Sequence, residues 1–266
     1  MPVPNSKGVD ITKRIEDLSK RNDITPFEVK SLQRDIDKLI TIDAAEGYML
    51  GGMLAALTGK RDVARSLHEN SLKLEYDIVG LFNYGVSMKK LGELSLAKTI
   101  FLKAEALSPG DRDVFGHHVQ AMNFSLDYTN LHQVVSQMNK HRPDWDVREV
   151  ADVPVAYGVV ECLEQLNIPL VEYSKYGVHL EHALRKFDLS PIQIQERFSH
   201  YDGVPHMYTE FFVDSNSATV LYDVNEYLMD LVLGDDELTN WDKVILSVVK
   251  LDSESQGRDS FEYSAA

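Results

Sequence analysis

Few of the residues that perform chemistry in proteins stand at useful spacings in this chain. Cys162 is its single cysteine. A thiol nucleophile needs a nearby base and a setting that favours thiolate. Cys162 follows Val159 and Val160 and precedes Leu163, so it reads as a buried thiol packed within a helix. His179 and His182 stand three apart in HLEH, on one helical face, where two imidazoles can share a metal; His117 and His118 are adjacent. Zinc takes three or four ligands with fixed supports, and no third ligand at a telling spacing accompanies either pair. The densest run of functional groups is HYDGVPH, residues 200–206. Its Asp-Gly pair and its proline are turn formers, which fits a turn ahead of a strand better than a catalytic site. An enzyme with its site near His200 and His206 stands as an alternative. Asp235, Asp236 and Glu237 lack the alternating oxygens and the glycine of a calcium loop and read as a solvated helix end. Dinucleotide, phosphate-loop, nucleophile-elbow and paired-cysteine signatures are all missing. The reading is therefore non-enzymatic, with no catalytic residue, no metal and no cofactor.

The elements that would position side chains are mostly helices. Residues 11–20 form one. Thr25 caps a second, with Pro26 in its first position, Glu28 in its first turn, and Phe27, Val29, Leu32, Ile36, Leu39 and Ile40 at helical spacing. A 33–34 residue period follows. Gly59 and Gly92 are 33 apart, and so are Gly52 and Gly85, and Ala64 and Ala97; Pro109 and Pro143 are 34 apart. Three units result, 45–77, 78–110 and 112–144. Each reads as two amphipathic helices joined by a tight turn, with a glycine ending the first helix and a small residue where the helices cross. One hairpin cannot bury its apolar face, so neighbours must stack. Residues 155–166 and 170–187 read as a divergent hairpin, and Leu189-Ser190-Pro191 as a boundary. Beyond it, HMYTEFFVD (206–214) and the segment containing VILSVV (241–251) read as strands on either side of a helix, 217–233. That helix places Val220, Leu221, Val224, Leu228, Leu231 and Val232 on one face. Residues after 252 read as a disordered tail.

The three units resemble tetratricopeptide repeats, best in LFNYGVSMKKLGELSLAKTIFLKAEALSP; Leu126 stands in the third unit where the turn glycine is usual. The resemblance implies a solenoid of helical hairpins; with the strand, helix and strand read after residue 200, the expected fold is mainly α, a solenoid followed by a small α+β domain. The expected divisions are an N-terminal helical cap (1–41), repeats (42–144), a divergent hairpin (145–190), an acidic α+β domain (191–252) and a tail (253–266). It also implies a concave groove lined by the first helix of each hairpin. Its positions here are Met49, Leu50, Met53 and Ala56, then Phe82, Asn83, Val86, Lys89 and Lys90, then Asp113, His117, Gln120 and Asn123. Repeats that clamp a chaperone's terminal carboxylate use two asparagines and several basic residues. Only Asn83 fits that pattern, so a chaperone adaptor is disfavoured.

Charge supplies the rest. The net charge is −15, and residues 201–266 hold 14 acidic against 3 basic side chains. Such a field repels phosphate backbones and anionic lipid and attracts basic surfaces. No apolar run is long enough for a membrane span, and the first residues lack a secretory signal's apolar region. With one cysteine, these features point to the cytoplasm. The expectation is a protein-protein interaction module, an adaptor or regulatory scaffold. It would bind another protein with a basic surface through the helical groove and through Asp235, Asp236 and Glu237; nucleic acid and membrane are not expected partners. The alternative within the same class is an immunity protein or antitoxin that covers a basic, nuclease-like toxin.

Overall fold

The computed structural model describes residues 7–21, 23–201, 203–215, 217–251 and 261–263. The chain is mainly α, a series of helical hairpins followed by a small α+β part. It divides into two compact units. One holds the residues up to Leu91 with Thr99–Ser108, and the other holds Gly92–Lys98 and the residues from Pro109 on.

In the first unit, α1 (Lys7–Ser19), α2 (Pro26–Ile40) and α3 (Ala44–Leu57) share one core. Ile11, Ile15 and Leu18 of α1 meet Leu32, Ile36 and Leu39 of α2 and Leu50 and Leu54 of α3. The start of α2 is fixed by reciprocal bonds between Thr25 and Glu28, a capping box that satisfies two amides left over by the helix. Then come α4 (Arg61–Leu74), α5 (Ile78–Lys90) and the greater part of α6 (Leu94–Leu107).

The 33-residue period has a physical counterpart. Gly59 and Gly92 both adopt left-handed backbone, φ 71° and 75°. A Cβ on Gly52 would lie 2.6 Å from the His68 ring, and one on Gly85 would lie 2.7 Å from the Phe101 ring. The two hairpins thus use the same joint, a glycine on the first helix under a ring from the second. Gly85→Ala forces the buried Phe101 aside and is expected to cost roughly 1–3 kcal/mol, as overpacked sites do. Chemical denaturation measures it, and an unchanged midpoint would contradict the joint.

His68 carries a consequence that Phe101 does not. Its ring is fully buried and stacks on Tyr84 with centroids 5.1 Å apart. Nε2 shares one hydrogen bond with the Ser87 hydroxyl at 2.9 Å. Burial pushes its pKa down to about 3. The unfolded chain therefore takes up a proton that the folded one refuses. Stability is complete above about pH 6.5 and falls as pH drops from there toward 3. At pH 5 the loss from this group is about 2 kcal/mol. His68→Phe, which copies the second hairpin, is expected to remove that share of the acid sensitivity, read as the difference between the two denaturation profiles at pH 7 and pH 5.

The second unit contains α7 (Arg112–Ser125), α8 (Leu131–His141), α9 (Asp152–Leu166) and α10 (Leu170–Lys186). Leu126, at φ 53°, takes the left-handed turn position that glycine holds in the two earlier hairpins. A four-stranded sheet follows, in the order β3-β2-β1-β4. Strands β1 (Pro191–Tyr201) and β2 (Val204–Val213) form an antiparallel hairpin turning at Gly203. Strand β3 (Val244–Lys250) runs parallel to β2, reached through α11 (Ala218–Leu233), and β4 (Phe261–Tyr263) runs parallel to β1.

The expected strand, helix and strand are β2, α11 and β3. Strand β1 adds to them ahead of β2 and opens at Pro191, because proline is tolerated at a strand's first residue. One expectation is corrected. Within the expected tail, 261–263 pair with β1 as β4; the rest of that tail, 253–260 and 264–266, lies outside the described residues.

Candidate binding groove

The loop between α11 and β3, residues 234–243, is held by one face of α10. Glu172, Lys175, Tyr176 and His179 recur at helical spacing and point the same way. His179 Nε2 meets the Asp235 carboxylate at 2.8 Å. Lys175 pairs with Glu237. The carboxylate of Glu172 accepts the Asn240 amide N–H at 2.8 Å, the Asn240 side-chain amide at 3.0 Å and the Thr239 hydroxyl at 3.2 Å. Lys243 closes the loop by donating to the Leu166 carbonyl at 3.0 Å and to Asn240 Oδ1 at 2.8 Å. Leu238 is buried beneath it. The loop is thus tied down along its length, and beside its buried Leu238 the large apolar side chain of Trp241 is left 54% exposed.

Beside Trp241 a groove of about 500 Å³ opens between α11 and β3. Its lining is chiefly apolar, with Leu228, Met229, Val232 and Leu233 from α11, Val244, Ile245 and Leu246 from β3, and Tyr176 at one end. Met229 is 57% and Leu233 56% exposed, a large apolar surface for the outside of a helix. On a helical wheel Glu226 and Asp230 lie on the outer shoulder of that stripe, next to Leu233. From 218 to 242 the chain has seven acidic residues and no basic one. Asp235 and Glu237 are held by His179 and Lys175, whereas Asp223, Glu226, Asp230, Asp236 and Asp242 are exposed and enter no ion pair among the described residues.

The backbone of β3 forms the groove's far wall. In a parallel pair alternate residues turn their N–H and C=O to the neighbouring strand and the others turn them outward. The Lys243 carbonyl accepts from Met207 N–H, and Leu251 N–H donates to the Val213 carbonyl, so odd positions face β2. Even positions face the open edge. At Val248 that edge is closed. The Asn225 amide accepts from Val248 N–H and donates to Val248 C=O, both at 2.8 Å. Nearer Trp241, Val244 and Leu246 turn their outward groups toward the groove.

The positions expected from the repeat resemblance differ in burial. Leu50 and Ala56 are buried, and Met49 and Met53 pack against the core shared by α1, α2 and α3. Asn83 donates to the Val79 carbonyl at 3.0 Å and reaches Met49 Sδ at 3.4 Å. Phe82, Val86 and Lys89 are half-buried and Lys90 exposed. Asp113 is exposed and His117 and Gln120 half-buried, while Asn123 is buried and donates to Asp152 at 3.1 Å. Of the acidic trio, only Asp236 is both exposed and unpaired among the described residues.

The chemical candidates disperse as well. Cys162 is buried, and desolvation pushes its thiol up to about 11. His179 faces Asp235 while His182 meets the Tyr227 ring edge-on at 5.8 Å. His200 packs against Phe198 and His206 bonds the Val204 carbonyl at 2.8 Å, on either side of the hairpin turn. Asp202 lies outside the described residues.

One strongly perturbed group in the second unit is the carboxyl of Glu196. It is fully buried on the inner face of β1 and flanked by Ile194 and Phe198. The Tyr173 hydroxyl stands 3.0 Å and the Tyr128 hydroxyl 3.3 Å from its carboxyl oxygens, and Tyr173 also meets the Thr209 hydroxyl at 2.9 Å. Burial raises the carboxyl to about 8, and the two tyrosine hydroxyls offset only part of that.

The groove was not foreseen, yet a signal existed. The helix 217–233 has Tyr222, Met229 and Leu233 outside its expected buried stripe, and Trp241 stands in a loop rich in acidic residues. Comparison with known protein families, with curated proteins and with solved structures finds no match.

Proposed function

We propose that the chain is a non-enzymatic protein-interaction module, with tetratricopeptide-like helical hairpins carrying an acidic α+β part, and that its partner is a protein with a basic surface. The observation that carries this reading is the α11–β3 face. Exposed apolar side chains lie there beside five carboxylates that have no ion pair among the described residues. Unpaired charges of one sign gathered around an apolar patch repel one another in the free protein and are relieved by an opposite surface. No helix of the described residues is long and apolar enough to cross a membrane.

Within this reading, the segregated charge favours a neutraliser that covers a basic, toxin-like protein over a passive scaffold. Speed matters most for a neutraliser, and charge steering acts on the association rate. The test is retention of basic proteins on the immobilised full chain, compared with a chain carrying Asp230→Asn, Asp236→Asn and Asp242→Asn. Loss of retention in the variant supports the reading. Retention indifferent to those changes and to salt opposes it.

A further inference from the structure

We infer that the groove between α11 and β3 receives an extended, basic protein segment, which adds as a strand to the open edge of β3. This rests on the reading of the chain as a module for a basic partner and names where and how that partner is held. Three independent features converge.

The first is the backbone. Strand β3 is an end strand of the sheet, and its outward groups at Val244 and Leu246 face the groove. An added strand satisfies such groups directly, and main-chain pairing then supplies much of the affinity. The Asn225 amide occupies the outward N–H and C=O of Val248. It plays the part of a strand at that position and sets where the incoming segment must stop. Pairing is therefore confined to the stretch between Trp241 and Val248, which fixes its register.

The second is shape. Side chains of a strand alternate, so one side of an added segment faces the apolar wall of α11. The groove of about 500 Å³ accommodates apolar side chains against Met229, Val232 and Leu233, under the exposed Trp241 ring.

The third is charge. Asp242 lines the groove at one end, and Glu226 and Asp230 lie on the shoulder of α11 beside its apolar wall. A lysine or arginine there meets carboxylates that have no ion pair among the described residues. The preferred sequence is thus alternating apolar and basic.

The probe is an end-capped heptapeptide alternating lysine and valine, titrated into the full chain while tryptophan emission is followed. Three comparisons accompany it: the same peptide with glutamate for lysine, one with N-methylated backbone amides, and the Met229→Lys chain, whose new ammonium stands in the groove from an exposed position. The lysine peptide is expected to bind saturably with a blue shift that Trp241→Phe abolishes, and each comparison is expected to weaken binding roughly tenfold or more. Equal binding by the N-methylated peptide overturns strand addition. Equal binding by the glutamate peptide or by the Met229→Lys chain overturns the site, as does the absence of saturable binding. If the peptide fails while retention of basic proteins still depends on Asp230, Asp236 and Asp242, the interaction reading survives and the β3 edge is not its site.

Discussion

Glu196→Gln is expected to abolish a loss of stability that grows as pH rises from about 4.5 to 8. The folded chain holds a proton on Glu196 up to about pH 8, because burial among apolar residues penalises the carboxylate. The unfolded chain releases that proton near 4.5. Between those values the folded state binds more protons, so stability falls as pH rises, and it levels off once both states are ionised. The full span corresponds to roughly 3–5 kcal/mol. Glutamine keeps an acceptor for the Tyr173 hydroxyl and has no charge to bury. Urea denaturation of both chains across this range gives the difference directly. The two should agree near pH 4.5, with the variant more stable by several kcal/mol at pH 8.5. A constant offset would place the effect in packing rather than ionisation.

The second large effect concerns association. Asp230→Asn, Asp236→Asn and Asp242→Asn together are expected to slow binding of a basic partner by about tenfold or more at low salt, with the difference shrinking as salt rises. Dissociation should change less, because solvent-exposed charges act mainly on encounter. Asp235→Asn is expected to behave in the opposite way. It loosens the bond to His179 and with it the loop that carries Trp241, so the complex should fall apart faster with little change in association. Stopped-flow kinetics across a salt series separates the two. Uniform slowing by all four substitutions would mean that the loop geometry plays no part.

The helical hairpins were legible because their signals are local. Glycines at left-handed turns, alanines at crossings and a proline-started capped helix each act within a few residues. Strand β1 was hidden for a physical reason. Its inward positions are Ile194, Glu196 and Phe198, and a buried carboxyl in the middle breaks the alternation that marks a strand. Partners for that carboxyl come from Tyr128 and Tyr173, far away in sequence. The same holds for the acidic trio. Composition gives three like charges in a row, but only the fold reveals that His179 and Lys175 reach across from α10 to hold two of them. The groove needed the strand order as well, since β3 as an end strand follows from pairing and not from its own residues.

Amide hydrogen exchange of the full chain, free and saturated with the lysine–valine peptide, tests most directly which face meets the partner. The expected result is slowed exchange at Val244 and Leu246 and in the loop 234–243, with α3, α5 and α7 unchanged. Protection on those three helices instead, or no protection at β3, would contradict it.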